Sequence, residues 1–205
     1  MKKLFIPLVA AFAVLAACCS DKTQTGYTIS GQIDDLNSDS VWLFKSQYDS
    51  EPAAAAAVKN GAFKLTGETD EPSLGAVISR SGILCDLIVE DGNIVIARTG
   101  PNPDDIEITG SPANDAVTRD YARLTELFKD VPCEDAERQQ QLIRNLWEEG
   151  AKANRDNFYG VLCVMNLMER IPEEQVQALY DGLSDKMKAT ESGAVIQSFL
   201  DQFDE

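Results

Sequence analysis

The sequence predicts an α+β protein, an N-terminal antiparallel β-sheet or sandwich domain followed by an α-helical region. Three observations carry this. Apolar residues alternate with polar ones from Tyr27 onward. The dipeptides Asn60-Gly61 and Asp91-Gly92 suit the positive-φ corners of tight turns between strands. After Gly110 the apolar spacing changes from two to a mixture of three and four, the period of a helix. Strands first and helices second is the segregated arrangement.

Each element has its own signal. Tyr27, Ile29, Gly31 and Ile33 fall on one face of a first strand, with Thr28, Ser30 and Gln32 on the other. A polar turn at 34–39 leads to a second strand, 41–44. The Asn60-Gly61 turn predicts a hairpin in which Val58 faces Phe63 and Ala56 faces Leu65, with Lys59 and Lys64 on the opposite side. Asp91-Gly92 predicts another hairpin. In its first arm Ile83, Cys85, Leu87 and Val89 share one face, and Leu84 and Ile88 the other. Its return strand, 94–96, is apolar on both faces. A hairpin apolar on both sides needs cover on both sides, which predicts a central position against a second sheet or the helical part.

Ser111-Pro112 reads as an N-cap followed by proline in the first helical turn. Val117, Tyr121, Leu124, Phe128 and Val131 then form a stripe expected to face inward. A charged helix over about 134–154 turns Leu142, Ile143, Leu146 and Trp147 inward. Residues 158–168 are apolar all round and predict a buried helix. Another begins near Pro172 and carries Val176, Leu179, Tyr180, Leu183 and Met187. A last one aligns Val195, Ile196, Phe199, Leu200 and Phe203.

Ahead of all this stand Lys2 and Lys3, a short apolar run over 4–17, and Leu15-Ala16-Ala17-Cys18. A basic start, a short apolar stretch and small residues before a cut site make a secretory signal. The run is shorter than the ~20 residues a membrane-crossing helix needs. Cysteine directly after Leu-Ala-Ala resembles a bacterial lipoprotein signal, which implies cleavage before Cys18 and acyl chains on that residue. The expected organisation is a signal at 1–17, a polar tether at 18–25, a β-rich domain at 26–110 and a helical region at 111–205. The membrane is then reached through the N-terminal lipid, in the cell envelope, at the outer membrane on its periplasmic or surface side.

Composition narrows the function. With 34 acidic and 18 basic residues the formal charge is −16, which repels phosphate backbones and excludes nucleic acid as a partner. There is no histidine, so Ser-His-Asp and Cys-His nucleophile pairs are excluded, as are His-bearing zinc sites. No Ser-x-x-Lys, no Cys-x-x-Cys and no Gly-rich phosphate loop occurs. No catalytic residue, cofactor or metal site is expected, and the chain reads as a non-enzyme. Cys85 and Cys163 sit in apolar patterns and read as small buried hydrophobes, whereas Cys133, in 131–135, reads as the exposed thiol. A disulfide among the three stays open. Asp35, Asn37 and Asp39 alternate like the start of a calcium loop, but Ser40 and Ser46 stand where that loop needs glycine and glutamate. A turn is the simpler reading. Trp42 and Trp147 read as core, and Tyr48 as a loop aromatic.

Tyr27-Thr-Ile-Ser-Gly31, Val41-Trp-Leu43, Val58-Lys-Asn-Gly-Ala-Phe63, Leu87-Ile-Val-Glu-Asp-Gly-Asn-Ile94, Ile108-Thr-Gly-Ser111 and Asn114-Asp115 follow one another in the chain. In that order they resemble the N-terminal part of a group of envelope lipoproteins of Gram-negative gut anaerobes. In that group a β-rich domain of unknown function and a set of helices precede a thioredoxin-like domain. The group's thiol–disulfide chemistry resides in a Cys-x-x-Cys of the thioredoxin-like domain, which is absent here, so the resemblance implies no oxidoreductase activity. The expectation is a lipid-anchored binding or scaffold module with a protein partner in the envelope. Its alternatives are an accessory to thiol–disulfide or peroxide handling with a separate thioredoxin-like protein, and a surface glycan binder.

Overall fold

A computed structural model describes residues 26–203 apart from residues 47 and 104. Cys18, the signal and the tether lie outside the described residues. Eight strands come first: β1 (Tyr27–Gln32), β2 (Ser40–Phe44), β3 (Ala54–Ala57), β4 (Ala62–Gly67), β5 (Ser73–Ser79), β6 (Gly82–Val89), β7 (Gly92–Arg98) and β8 (Ile106–Thr109). Six helices follow: α1 (Pro112–Phe128), α2 (Ala136–Ala153), α3 (Phe158–Leu167), α4 (Glu173–Asp181), α5 (Asp185–Lys188) and α6 (Glu191–Leu200). The α+β arrangement is therefore the one the sequence predicts.

The strands form two four-stranded sheets, the first in the order β4-β1-β7-β8 and the second β3-β2-β5-β6. All pairings are antiparallel except β1 with β7. Inward residues of both sheets, among them Ile29, Val41, Leu43, Val77, Ile94 and Ile96, fill one core with no exposure. The alternation read over 27–33 places each residue on its expected face.

Neither turn dipeptide makes the expected hairpin ladder. At Asn60-Gly61 the corner is as expected, with φ of 52° and 77° and reciprocal backbone bonds between Lys59 and Ala62 at 2.9 and 3.0 Å. The two arms then part. β3 joins β2 in the second sheet and β4 joins β1 in the first. Val58 and Ala56 still face the same core as Phe63 and Leu65, but across the sandwich and not along a ladder.

At Asp91-Gly92 the chain likewise crosses between sheets. The Asp91 carboxylate accepts the Gly26 N–H at 2.7 Å, and Gly92 N–H donates to the Gly26 carbonyl at 3.1 Å. The dipeptide thus pins the start of β1 alongside β7 and makes their parallel pairing, instead of reversing the chain. β6 is an edge strand of its sheet, not a central one. Its C-terminal end is nevertheless covered on both faces: Leu87 and Val89 enter the sandwich core, and Ile88 enters the helical core.

A bulge opposite Val77 and Ile78 corrects the rest of β6. Val77 pairs with Cys85 and Ile78 with Ile83, leaving Leu84 unpaired. The extra residue reverses the alternation, so Leu84 and Cys85 both pack on the core while Ile83 turns outward, 68% exposed.

α1 also differs. Its buried residues are Ala113, Asn114, Ala116 and Asp120, while Val117 and Tyr121 of the expected inward stripe are 38% and 72% exposed. The cause lies in what holds the helix. The Asn114 carboxamide accepts the Ile88 N–H at 3.0 Å and donates to the Ile88 carbonyl at 2.7 Å, taking the place of a neighbouring strand at the open edge of β6. Ser111 accepts from the same amide at 2.8 Å, not from a helical N–H. The Glu90 carboxylate caps the helix by accepting the Ala113 N–H at 2.8 Å. Thr118 donates to the Ile108 carbonyl of β8 at 2.7 Å. One helix therefore meets the edge strands of both sheets.

α2 approaches α1 and α3 closely at Gly150, where a Cβ would stand 2.8 Å from the Cys163 sulfur. α3 is buried nearly all round, as its composition predicts. The single helix expected after Pro172 is two, because the chain turns at 182–184, where Ser184 N–H donates to the Arg155 carbonyl at 2.9 Å. In α6, Ile196 and Leu200 are buried, but Val195 and, just beyond the helix, Phe203 are 45% and 53% exposed.

Candidate functional site

The outward faces of the two sheets are unlike. On the first sheet that face carries Thr28, Ser30, Gln32, Lys64, Thr66 and Asn93, with Val95 as an apolar exception. This is the usual wet side of a sandwich.

On the second sheet the register sets Ala55 beside Trp42, Trp42 beside Ile78, and Ile78 beside Ile83, an apolar row across all four strands. The adjoining row pairs Phe44 with Ala76 and Ala76 with Asp86, and beyond it Leu74 faces Ile88. Ile83 and Leu74 are 68% and 55% exposed, and Trp42, Phe44, Ala76 and Ile78 are half-buried. The apolar side chains are contiguous across the strands and not scattered singly, which makes this face the candidate site.

The loop after Phe44 carries Tyr48, 87% exposed. Asp49 orders that loop by accepting the Lys45 and Ser46 N–H groups at 3.1 and 2.9 Å. At the other end Arg80 pairs with Asp39 at 3.1 Å. The surface is therefore an apolar floor with polar ends, the anatomy of an interface centre and rim. The central rows carry one carboxylate, Asp86, among apolar side chains.

Sequence reasoning placed Trp42 in the core, whereas it stands at the middle of this face. It assigned Ile83 inward because a bulge cannot be read from alternation. The available signal was the second strand itself. Val41, Trp42, Leu43 and Phe44 are apolar at consecutive positions, which requires apolar residues on both faces.

The three described cysteines are free: Cys163 buried, Cys85 half-buried, Cys133 exposed. Burial, with Asp86 adjacent, pushes the Cys85 thiol up to about 12. Burial also pushes Cys163 up to about 12, against an opposing hydrogen bond from Tyr159. Tyr159 is itself raised, first by burial and then by Cys163 and Asp120. Asp120, 5% exposed, takes the Arg119 Nε–H at 3.0 Å. Cys163, Tyr159 and Asp120 form a buried polar contact between α1 and α3, with the exposed Arg119 side chain at its edge. Asp35 and Asp39 of the polar turn pair with Arg98 and Arg80. Among the described residues no three Cys, Asp or Glu side chains are grouped to hold a metal ion, and no helix is long and apolar enough to cross a membrane. Trp147 is half-buried beneath the Arg170 guanidinium.

The strand region and the start of α1 match one family model. Residues 27–117 match DUF4369, a domain of unknown function. The match extends past the last strand into α1 and includes Asn114. The family model thus ends beyond the side chain that joins helix to sheet edge. No curated protein matches the chain.

Proposed function

We propose that this is a lipid-anchored, non-enzymatic envelope protein that recruits a protein partner through the outward face of the second sheet of its DUF4369 domain. The observation that supports it is the apolar row Ala55, Trp42, Ile78, Ile83 on an otherwise strongly acidic, wet surface. Cys18, acylated after cleavage, would hold the domain at the outer membrane, on the periplasmic or surface side. Stable anchoring needs more than one chain, each buried methylene contributing ~0.8 kcal/mol.

The redox alternative needs a reactive thiol. With Cys85 and Cys163 each pushed up to about 12, Cys133 is the exposed thiol among the described cysteines. The glycan alternative draws on Tyr48, but a ligand is oriented by several placed polar groups, and the rows around Trp42 and Phe44 carry one polar side chain, Asp86.

The test is photo-crosslinking in cells from position 83 or 74, with position 95 on the first sheet as control. One protein captured from 83 and 74 but not from 95, and lost in Ile83→Asp, is the expected result. Equal capture from all three positions, or none, overturns the reading. For the anchor, Cys18→Ala should leave an unprocessed or mislocalised precursor; mature, membrane-bound protein from that variant refutes it.

A further inference from the structure

A groove of about 320 Å³ opens between the end of α2, the end of the α3–α4 connection and α4. Its apolar lining is Ala151, Ile171, Ala178 and Leu179, and its polar lining is Glu148, Lys152, Arg155 and Gln175. The volume is at the lower end of small-ligand sites.

Arg155 is unusual in this acidic chain. Arg80, Arg98, Arg119 and Arg123 pair with carboxylates, and Arg144 and Arg170 donate to oxygen acceptors. Among the described residues neither the Arg155 nor the Arg138 guanidinium has such a partner, and of the two Arg155 lines the groove. Its backbone is held, the carbonyl accepting the Ser184 N–H at 2.9 Å. Its guanidinium lies beside Gly182, where a Cβ would be in ordinary van der Waals contact with Nε at 3.7 Å. Lys152 meets Glu148 only at 3.9 Å. Both cations offset the C-terminal ends of α2 and α4, a role that uses their charge but not their N–H donors.

We propose that this groove binds a small carboxylate with a short apolar tail, the carboxylate on the Arg155 fork and the tail over Ile171, Ala178 and Leu179. A guanidinium matches a carboxylate with two parallel bonds, which an ammonium does not. Such a ligand is either a free acid or the C-terminal residue of a peptide.

The test is a titration of the ¹⁵N-labelled full chain with pentanoate, pentanamide, and the tripeptide Ala-Ala-Leu with a free or an amidated C-terminus. Expected are saturable shifts at Ala151, Ala178 and Gly182 with pentanoate, at a Kd of about 1 mM or tighter, and none with pentanamide. Arg155→Gln, an exposed position, should weaken binding at least tenfold, and Arg155→Lys should restore part of it. Tripeptide binding tenfold tighter than pentanoate, and lost on amidation, assigns the site to peptide termini; weaker tripeptide binding assigns it to free acids. No saturable shift, equal binding of pentanamide, or unchanged binding by Arg155→Gln overturns the proposal.

Discussion

Asn114 gives two hydrogen bonds to the backbone of Ile88 and so does the work of a strand residue from within a helix. Removing it leaves a buried N–H and a buried C=O unpaired, each costly in a low-dielectric interior. Asn114→Ala should therefore cost about 1–3 kcal/mol, measured as a lower urea midpoint. Asn114→Asp should be no better, because it keeps the acceptor for the Ile88 N–H but loses the donor to the Ile88 carbonyl. Ile88 itself, 1% exposed, belongs to the helical core while its neighbours Leu87 and Val89 belong to the sandwich core. Ile88→Ala should cost about 2–5 kcal/mol and loosen α1 and α3 first, seen as faster hydrogen exchange in those helices than in β1 and β7.

Elements were legible where one residue type had one explanation. The alternation of the first strand, the Asn60-Gly61 corner and the all-apolar third helix each had a single physical reading. Strand partners were not, because a turn dipeptide reports the local backbone and not which sheet each arm joins. Asp91 shows why, since its carboxylate is spent on Gly26, far away in sequence. β5 and β8 carried no turn signal that singled them out. For the helices, periodicity found the stripe of α1 but not its direction. The face that docks is small and polar, so close approach and hydrogen bonding outweighed apolar area. Tyr121→Ser should accordingly leave the unfolding midpoint within about 0.5 kcal/mol of wild type, whereas Ala116→Leu, into a position 1% exposed, should cost about 1–3 kcal/mol by overpacking. The candidate site was half legible: Tyr48 was in place on its loop, while Trp42 and Ile83 were assigned to the wrong side.

At the scale of the whole molecule the buried thiols set a pH limit. Cys85 and Cys163 bind their protons up to about 12 when folded but release them near 9 when unfolded. Between those values the unfolded chain holds fewer protons than the native one, so stability falls as pH rises. Below about 9 both states are protonated and the contribution is constant. Each group removes at most about 1.4 kcal/mol per pH unit in that window, and Tyr159 acts in the same direction from about 10 upward. Urea midpoints should be flat from pH 6 to 8 on this account and fall above 9, less steeply in Cys163→Ala. Thiol labelling at neutral pH should modify Cys133 first, with Cys163 reacting only on unfolding.

The interleaving of the sheets governs how the domain reaches its fold. β1, β4, β7 and β8 make one sheet and β2, β3, β5 and β6 the other, so the second sheet lies whole within residues 40–89 while the first spans the entire strand region and is completed only by β7 and β8. The first sheet therefore closes late, around a second one whose strands have all been made. Long-range pairing of this kind slows folding. The fold is complete only once α1 arrives to pair with the open edges of β6 and β8.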